Sequence, residues 1–128
     1  MAEGPLQVEL VAADRTVWSG QASMVIARTV EGDVGVLKDH APLLSLLAEA
    51  VVEITTGDET VIASVDGGFI SVAHNRVSIL SERALLAEEI DVKAVEAELE
   101  EARGSEDDDA DARIRSAEAR LRAAERAS

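Results

Sequence analysis

Glu31-Gly32-Asp33-Val34-Gly35-Val36-Leu37-Lys38-Asp39-His40-Ala41-Pro42-Leu43-Leu44 is the most constrained stretch of this 128-residue chain. Its glycines, three positions apart, suit a backbone that turns through positive φ or lies close to another surface, so the stretch reads as a shaped loop. Pro42 fixes its own φ and biases Ala41 towards an extended conformation. His40-Ala41-Pro42 should therefore leave the turn stiffly, with Leu43, Leu44, Leu46 and Leu47 following into the interior. His40 is held in place by this. A metal ligand or a general base would need partners, and His74 is the only other histidine in a chain without cysteine. A ring bonded to nearby backbone carries more weight.

Outward from this stretch, Leu6 to Leu80 consists of short apolar segments separated by turn residues, the spacing of a β-sandwich. Leu6, Val8 and Leu10 alternate with Gln7 and Glu9, which is the period of a half-buried strand. Asp14-Arg15 and Ser19-Gly20 punctuate the chain, with Thr16–Trp18 between them and Ala22–Arg28 after. Val51 to Thr55 leads into Gly57-Asp58-Glu59, a hairpin turn by residue type, and Thr60 to Val65 returns. Asp66-Gly67-Gly68 turns the chain again before Phe69, Ile70 and Val72. A glycine pair can cradle phosphate, but such loops lead into a helix and this one leads into a strand pattern, so a turn explains it. His74-Asn75 is a solvated tight turn before Val77, Ile79 and Leu80. The economical pairing is antiparallel throughout.

Composition changes after Leu80. Ser81 to Glu89 reads as a connector, and beyond it alanine, glutamate and arginine dominate. Asp91 can cap a helix with apolar positions Val92, Val95, Leu99 and Ala102, which Gly104 ends. Ser105 to Asp111 is an acidic turn, and Ile114, Ala117, Leu121 and Ala124 repeat the same stripe in a second helix. Residues 88–111 hold twelve acids against Lys93 and Arg103, whereas residues 112–128 hold five arginines against Glu118 and Glu125, so antiparallel pairing sets acid against base. Asp111 with Arg115 and Glu118 with Arg122 would add i, i+4 support. Both stripes are thin and rich in alanine, so the hairpin depends on whatever it packs against and reads as detachable. The fold class is α+β: an antiparallel β-sandwich over residues 1–86, then an antiparallel helical hairpin over residues 87–128.

The formal charge of −14 argues against nucleic acid as a partner and against direct insertion into anionic lipid. The densest apolar run, Leu43 to Ala48, is broken by Ser45 and is far shorter than the ~18 residues a membrane span needs. No export signal is evident, and the chain is expected to be soluble. Trp18 and Phe69 are the only aromatic residues, so the core must be aliphatic. No nucleophile, base or metal-spaced cluster stands out, which favours binding over catalysis and implies neither cofactor nor metal. On these grounds alone, a stand-alone ligand-binding sandwich with a dimerising helical tail remains an alternative.

Glu31-Gly32-x-x-Gly35-x-x-x-x-His40-Ala41-Pro42-Leu43-Leu44, followed by Asp66-Gly67-Gly68-Phe69, resembles the epsilon subunit of the bacterial F-type ATP synthase. Val17-Trp18-Ser19-Gly20 before the motif and Ile90-Asp91 after it keep the family's order. Lys38-Asp39 stands where many members carry Pro-Gly. The resemblance implies a non-catalytic central-stalk subunit that couples proton translocation to ATP synthesis. Its implied partners are the gamma subunit, the membrane rotor ring of c subunits, and the alpha and beta subunits of the catalytic head, at the cytoplasmic face of the cell membrane. It also implies ring contacts at Glu31, Gly32 and Asp33 with His40 nearby. The hairpin would restrain ATP hydrolysis, Arg113, Arg115, Arg120, Arg122 and Arg126 meeting acidic loops of the beta subunits. Some members bind ATP through Ile/Leu-Asp-x-x-Arg-Ala at the first helix; here Ile90 and Asp91 remain and the arginine is missing, which implies weak binding or none.

Overall fold

A computed structural model describes residues 5–127. Ten strands form two five-stranded sheets. Sheet A has the order β2(Arg15–Ala22), β1(Leu6–Ala12), β9(Arg76–Leu80), β8(Phe69–Ala73), β5(Leu43–Leu46). Sheet B has the order β10(Ala84–Leu86), β7(Glu59–Asp66), β6(Glu49–Thr56), β3(Met24–Thr29), β4(Gly32–Leu37). Leu6, Val8, Leu10, Ile70, Val72, Val77 and Ile79 of sheet A meet Val25, Val36, Val52, Ile54, Ala63 and Val65 of sheet B in one aliphatic core. Each such Leu, Ile or Val contributes about 1.5–3 kcal/mol by leaving water. Helices α1(Val92–Arg103) and α2(Ala110–Ala127) follow, and α2 lies on the outer face of β6 and β7.

The sandwich and the hairpin stand as the residue pattern foretold, with four corrections. First, the stretch from Gly32 to Leu37 is not loop but strand β4, paired with β3 from Thr29↔Gly32 to Met24↔Leu37. Val34 and Val36 alternate inward, and the glycines between had disguised the period. Second, Leu44 and Leu46 do not enter the core; β5 is an edge strand, and only Leu47 is buried beyond it. Third, the connector after Leu80 contains β10, paired with β7, and a 3₁₀ turn at Ala87–Glu89. Fourth, β1 runs parallel to β9 while the other strand pairs run antiparallel.

Local chemistry explains the turns. Gly57, at φ 77°, closes the β6–β7 hairpin where sequence placed it. Gly68, at φ 98°, lies so close to β9 that an added Cβ would sit 1.9 Å from the Leu80 carbonyl oxygen. Asp91 caps α1 by accepting a hydrogen bond from Ala94 N–H at 3.2 Å, and Gly104 is its C-cap residue.

Candidate partner-binding surfaces

The Glu31 motif occupies both ends of β4. Val30 and Glu31 form the two-residue tip joining β3 to β4, with Gly32 at φ 125°. Buried Thr29 holds the tip: its Oγ1 donates to the Gly32 carbonyl at 2.8 Å and accepts from Glu31 N–H at 3.1 Å. Asp33 is exposed on the outer side of β4 and pairs with Arg28 at 2.9 Å. His40 lies beyond the other end, so the six residues of β4 put about 17 Å of strand between it and the tip. The structure thus brings Glu31, Gly32 and Asp33 together and sets His40 apart from them; a partner touching both must lie along β4.

His40 is bonded to backbone, as its isolation implied. Its Nδ1–H donates to the Ala41 carbonyl at 2.6 Å and its N–H to the Leu37 carbonyl at 3.1 Å. Asp39, in the position of the family's glycine, adopts φ 66°. The strain is offset by Asn75 in the β8–β9 turn, whose Oδ1 accepts from Asp39 N–H at 2.6 Å and whose Nδ2 donates to Asp39 Oδ1 at 3.1 Å. His74 is exposed in that same turn, at φ 52°. Among the described residues, no group of His, Asp and Glu is arranged to hold a metal ion.

The outer faces of the two sheets differ. On sheet A, the registers Leu46↔Phe69, Phe69↔Leu80 and Leu80↔Val11 draw an apolar row across four strands. Leu46 is 61 % exposed, Phe69 40 % and Leu80 36 %, with Leu44 at 72 % on the same face of β5. Val30 N–H donates to the Leu46 carbonyl at 3.0 Å, which sets this row beside the acidic tip. Sequence reading missed the row because it sent Leu44 and Leu46 inward; the signal was Pro42, which suits an edge.

On sheet B, α2 covers the outer face of β6 and β7. Val51 on β6 and Ala87 meet Ala123 in a small cluster with Ile62 and Ile90 against it, while Val95, Leu99 and Ala117 join the two helices, again with Ile90. Ile90 therefore links both clusters and Asp91 is a helix cap, which gives each residue of the degraded nucleotide motif a structural task. Four of the arginines of α2, Arg113, Arg115, Arg120 and Arg126, have acidic partners within the chain. Arg115 pairs with Glu49 at 2.9 Å, Arg126 with Glu53 at 2.7 Å, and Arg120, only 4 % exposed, with Glu98 of α1 at 3.0 Å. Arg113 reaches Glu101 at 3.4 Å and Asp107 at 3.5 Å. Its Nε stands 3.4 Å from Asp109 without the alignment of a hydrogen bond, so that contact is one of charge alone. Arg122 lines a groove with Arg28, Asp33 and Glu53. The expected acid-to-base pairing of the helices holds, but Arg115 turns to Glu49 rather than Asp111, and Glu118 to Arg103 at 3.4 Å rather than Arg122.

Two sheets, one face held by the chain's own helices and the other bare, place the molecule in a class of sandwich domain that also has a sequence signature. The family model described as ATP synthase, Delta/Epsilon chain, beta-sandwich domain matches residues 5–87. The ATP synthase epsilon chain of Streptomyces avermitilis is 58 % identical over 89 residues, 69 % of this chain and 72 % of that one. That of Frankia casuarinae is 55 % identical over 83 residues, 64 % of this chain and 98 % of that one. In structure, a chain from the cryo-EM assembly of OSCP, F1 and c-ring of the Euglena gracilis mitochondrial ATP synthase superposes with a TM-score of 0.72 and 29 % identity, covering 95 % of this chain and 78 % of that one. This chain belongs to the family of ATP synthase epsilon chains, with relatives in bacteria.

Proposed function

We propose that the chain is a non-catalytic central-stalk subunit of an F-type ATP synthase, coupling proton translocation through the membrane rotor ring to ATP synthesis. The observation that carries this reading is the uncovered apolar row Leu46–Phe69–Leu80 beside the acidic tip, on a domain whose opposite face carries α2 over β6 and β7. An exposed contiguous apolar row rimmed by polar groups is the mark of a protein contact. We assign the row to the gamma subunit, and Glu31, Gly32, Asp33 and His40 to the c-subunit ring along β4. The sandwich, residues 1–86, would then be the anchoring part. The hairpin, residues 87–128, would be a regulatory arm whose arginines reach the alpha and beta subunits and restrain hydrolysis. No helix among the described residues is long and apolar enough to cross a membrane, so attachment at the cytoplasmic face runs through these partners.

Co-purification from membrane extracts tests the reading. The wild-type chain should bring down a gamma-like partner, and Phe69→Glu should lose it while staying folded. Asp33→Arg should leave assembly intact and lower proton pumping by the reconstituted complex, because a charge on a contact surface matters more to the partner than to the core. Elution of the free chain as a stable dimer with no partner in the extract would refute it.

A further inference from the structure

Among the described residues, three other than glycine adopt positive φ, and all three stand in two turns that touch: Asp39 at 66°, His74 at 52° and Asn75 at 62°. His74 and Asn75 join β8 to β9 beyond the pair Ala73↔Arg76, and positive φ at both is the type I′ turn that suits a hairpin's twist. The turn at Asp39 is of another kind. The Leu37 carbonyl accepts from His40 N–H at 3.1 Å, which closes a four-residue turn around Lys38 and Asp39, and positive φ at Asp39 alone makes it type II. Such a turn favours glycine at this position, because a Cβ is crowded there, and it leaves that residue's N–H without a partner inside the turn. Both deficits are met from 36 residues away. Asn75 Oδ1 accepts from Asp39 N–H at 2.6 Å, and Asn75 Nδ2 donates to Asp39 Oδ1 at 3.1 Å. The Asn75 carbonyl in turn accepts from Gln7 N–H of β1 at 2.8 Å, so a side chain anchored in sheet A holds the exit of the edge strand of sheet B.

Strained backbone gathered at one place, and held there by a dedicated side chain, points to a use for the conformation it fixes. His40 lies between two fixed points: Asp39 in the clamp, and Leu43, which pairs with Val72 on β8. Its ring bonds to its own neighbour, Nδ1–H donating to the Ala41 carbonyl, so the backbone of residues 39–41 decides where the imidazole points and Nε2 is left for a partner. We propose that Asn75 is a positioning residue for the partner-contact loop: acting through Asp39, it sets the turn after β4 and thereby the attitude of His40. This rests on the reading that His40 takes part in the ring contact. A glycine at position 39 would reach the same φ without strain, but it would give Asn75 Nδ2 nothing to hold. The side chain of Asp39 is thus the handle by which sheet A steers the end of β4.

Variants of the full chain test this. Asn75→Asp keeps the shape and the acceptor but sets a carboxylate against Asp39, so hydrogen exchange at the Asp39 and His40 amides should rise roughly three- to tenfold, the worth of one lost hydrogen bond. Proton pumping by the reconstituted complex should fall with it, towards the level of His40→Ala. Adding Asp39→Asn to Asn75→Asp returns a donor to the pair and should restore both readouts. Asp39→Gly with Asn75→Ala removes strain and clamp together: thermal stability should stay near wild type while exchange remains fast and pumping low, a split that a merely structural clamp would not give. Unchanged exchange in Asn75→Asp would overturn the proposal, because the turn would hold without the clamp. Pumping that recovers with stability in the glycine variant would overturn it too, since relief of strain would then be all that Asn75 supplies. Faster exchange with unchanged pumping would also overturn it, and His40→Ala separates that failure from failure of the wider reading. If His40→Ala pumps poorly, His40 is a contact that does not need Asn75; if it pumps as wild type, the ring-contact reading of His40 falls as well.

Discussion

At Gly68, φ of 98° and the Leu80 carbonyl leave no room for a side chain, so Gly68→Ala must push β8 from β9. A loss of about 3 kcal/mol or more in denaturant unfolding is expected, the size of combined backbone strain and a backbone clash. Gly35 is the counterpart. Its φ is not positive and nothing lies within 4 Å of an added Cβ, so the isolated fold has no use for a glycine there. Gly35→Ala should leave stability unchanged or raise it by roughly 0.5–1 kcal/mol. Lost ring coupling in that variant, measured as proton pumping, would place the need for glycine at the partner. Glu89 ties the 3₁₀ turn to pH: the hydrogen bond from Arg15 first, and the Leu86 N–H second, hold its carboxyl below its ordinary 4.5. A depressed carboxylate stabilises the fold above its unfolded value, and that contribution is lost as pH falls through the lower folded value. Acidification from the ordinary carboxylate range through the lowered folded value should therefore loosen the 3₁₀ turn. A Leu86 amide resonance that follows this titration in wild type, and not in Glu89→Gln, is the check.

Helix α2 buries two faces, and only one was legible in the residue pattern. Ile114, Ala117 and Leu121 face α1 as the stripe foretold, but Ser116, Ala119, Arg120 and Ala123 are buried as well, and small or polar residues give no apolar period. A second signal lay in β6, where Ala50, Val51 and Val52 run without alternation because both faces are covered. Strands β1, β6, β7, β8 and β9 were readable from alternation and turn chemistry. Strands β4, β5 and β10 were not, being glycine-broken, proline-led or only three residues long. The Glu31 tip was legible as a site through its motif, whereas the apolar row appears only once register sets Leu46, Phe69 and Leu80 side by side. Ending the chain at residue 90 should leave the core intact, since the core side chains lie before that point. It also uncovers Val51 and Ile62, each worth up to roughly 1.5–3 kcal/mol at full burial. A folded domain that self-associates at high concentration is therefore expected by sedimentation, and Val51→Glu should restore the monomer.

For the whole molecule, a formal charge of −14 is spread so that the arm's cations meet its own acids and those of sheet B. Nucleotide is poorly served by this layout. Ala94 and Val95 stand where the ATP-binding pattern places Arg-Ala, Asp91 is engaged as a cap, and Glu88, Glu89 and Glu96 repel phosphate. Calorimetry on the full chain should detect no micromolar ATP binding. The parallel pairing of β1 with β9 has a consequence for biosynthesis. The strand made first lies inside sheet A, between β2 and a strand that ends at Leu80. A nascent chain can close the β1–β2 hairpin early, but its free edge must wait until the chain from Ala22 to Leu80, roughly sixty more residues, has left the ribosome, a delay of several seconds at ~5–20 residues per second. During that interval β1 presents its unpaired amides to whatever else is near. Sheet A thus completes itself in one late step, when the return of β9 seals it from its middle.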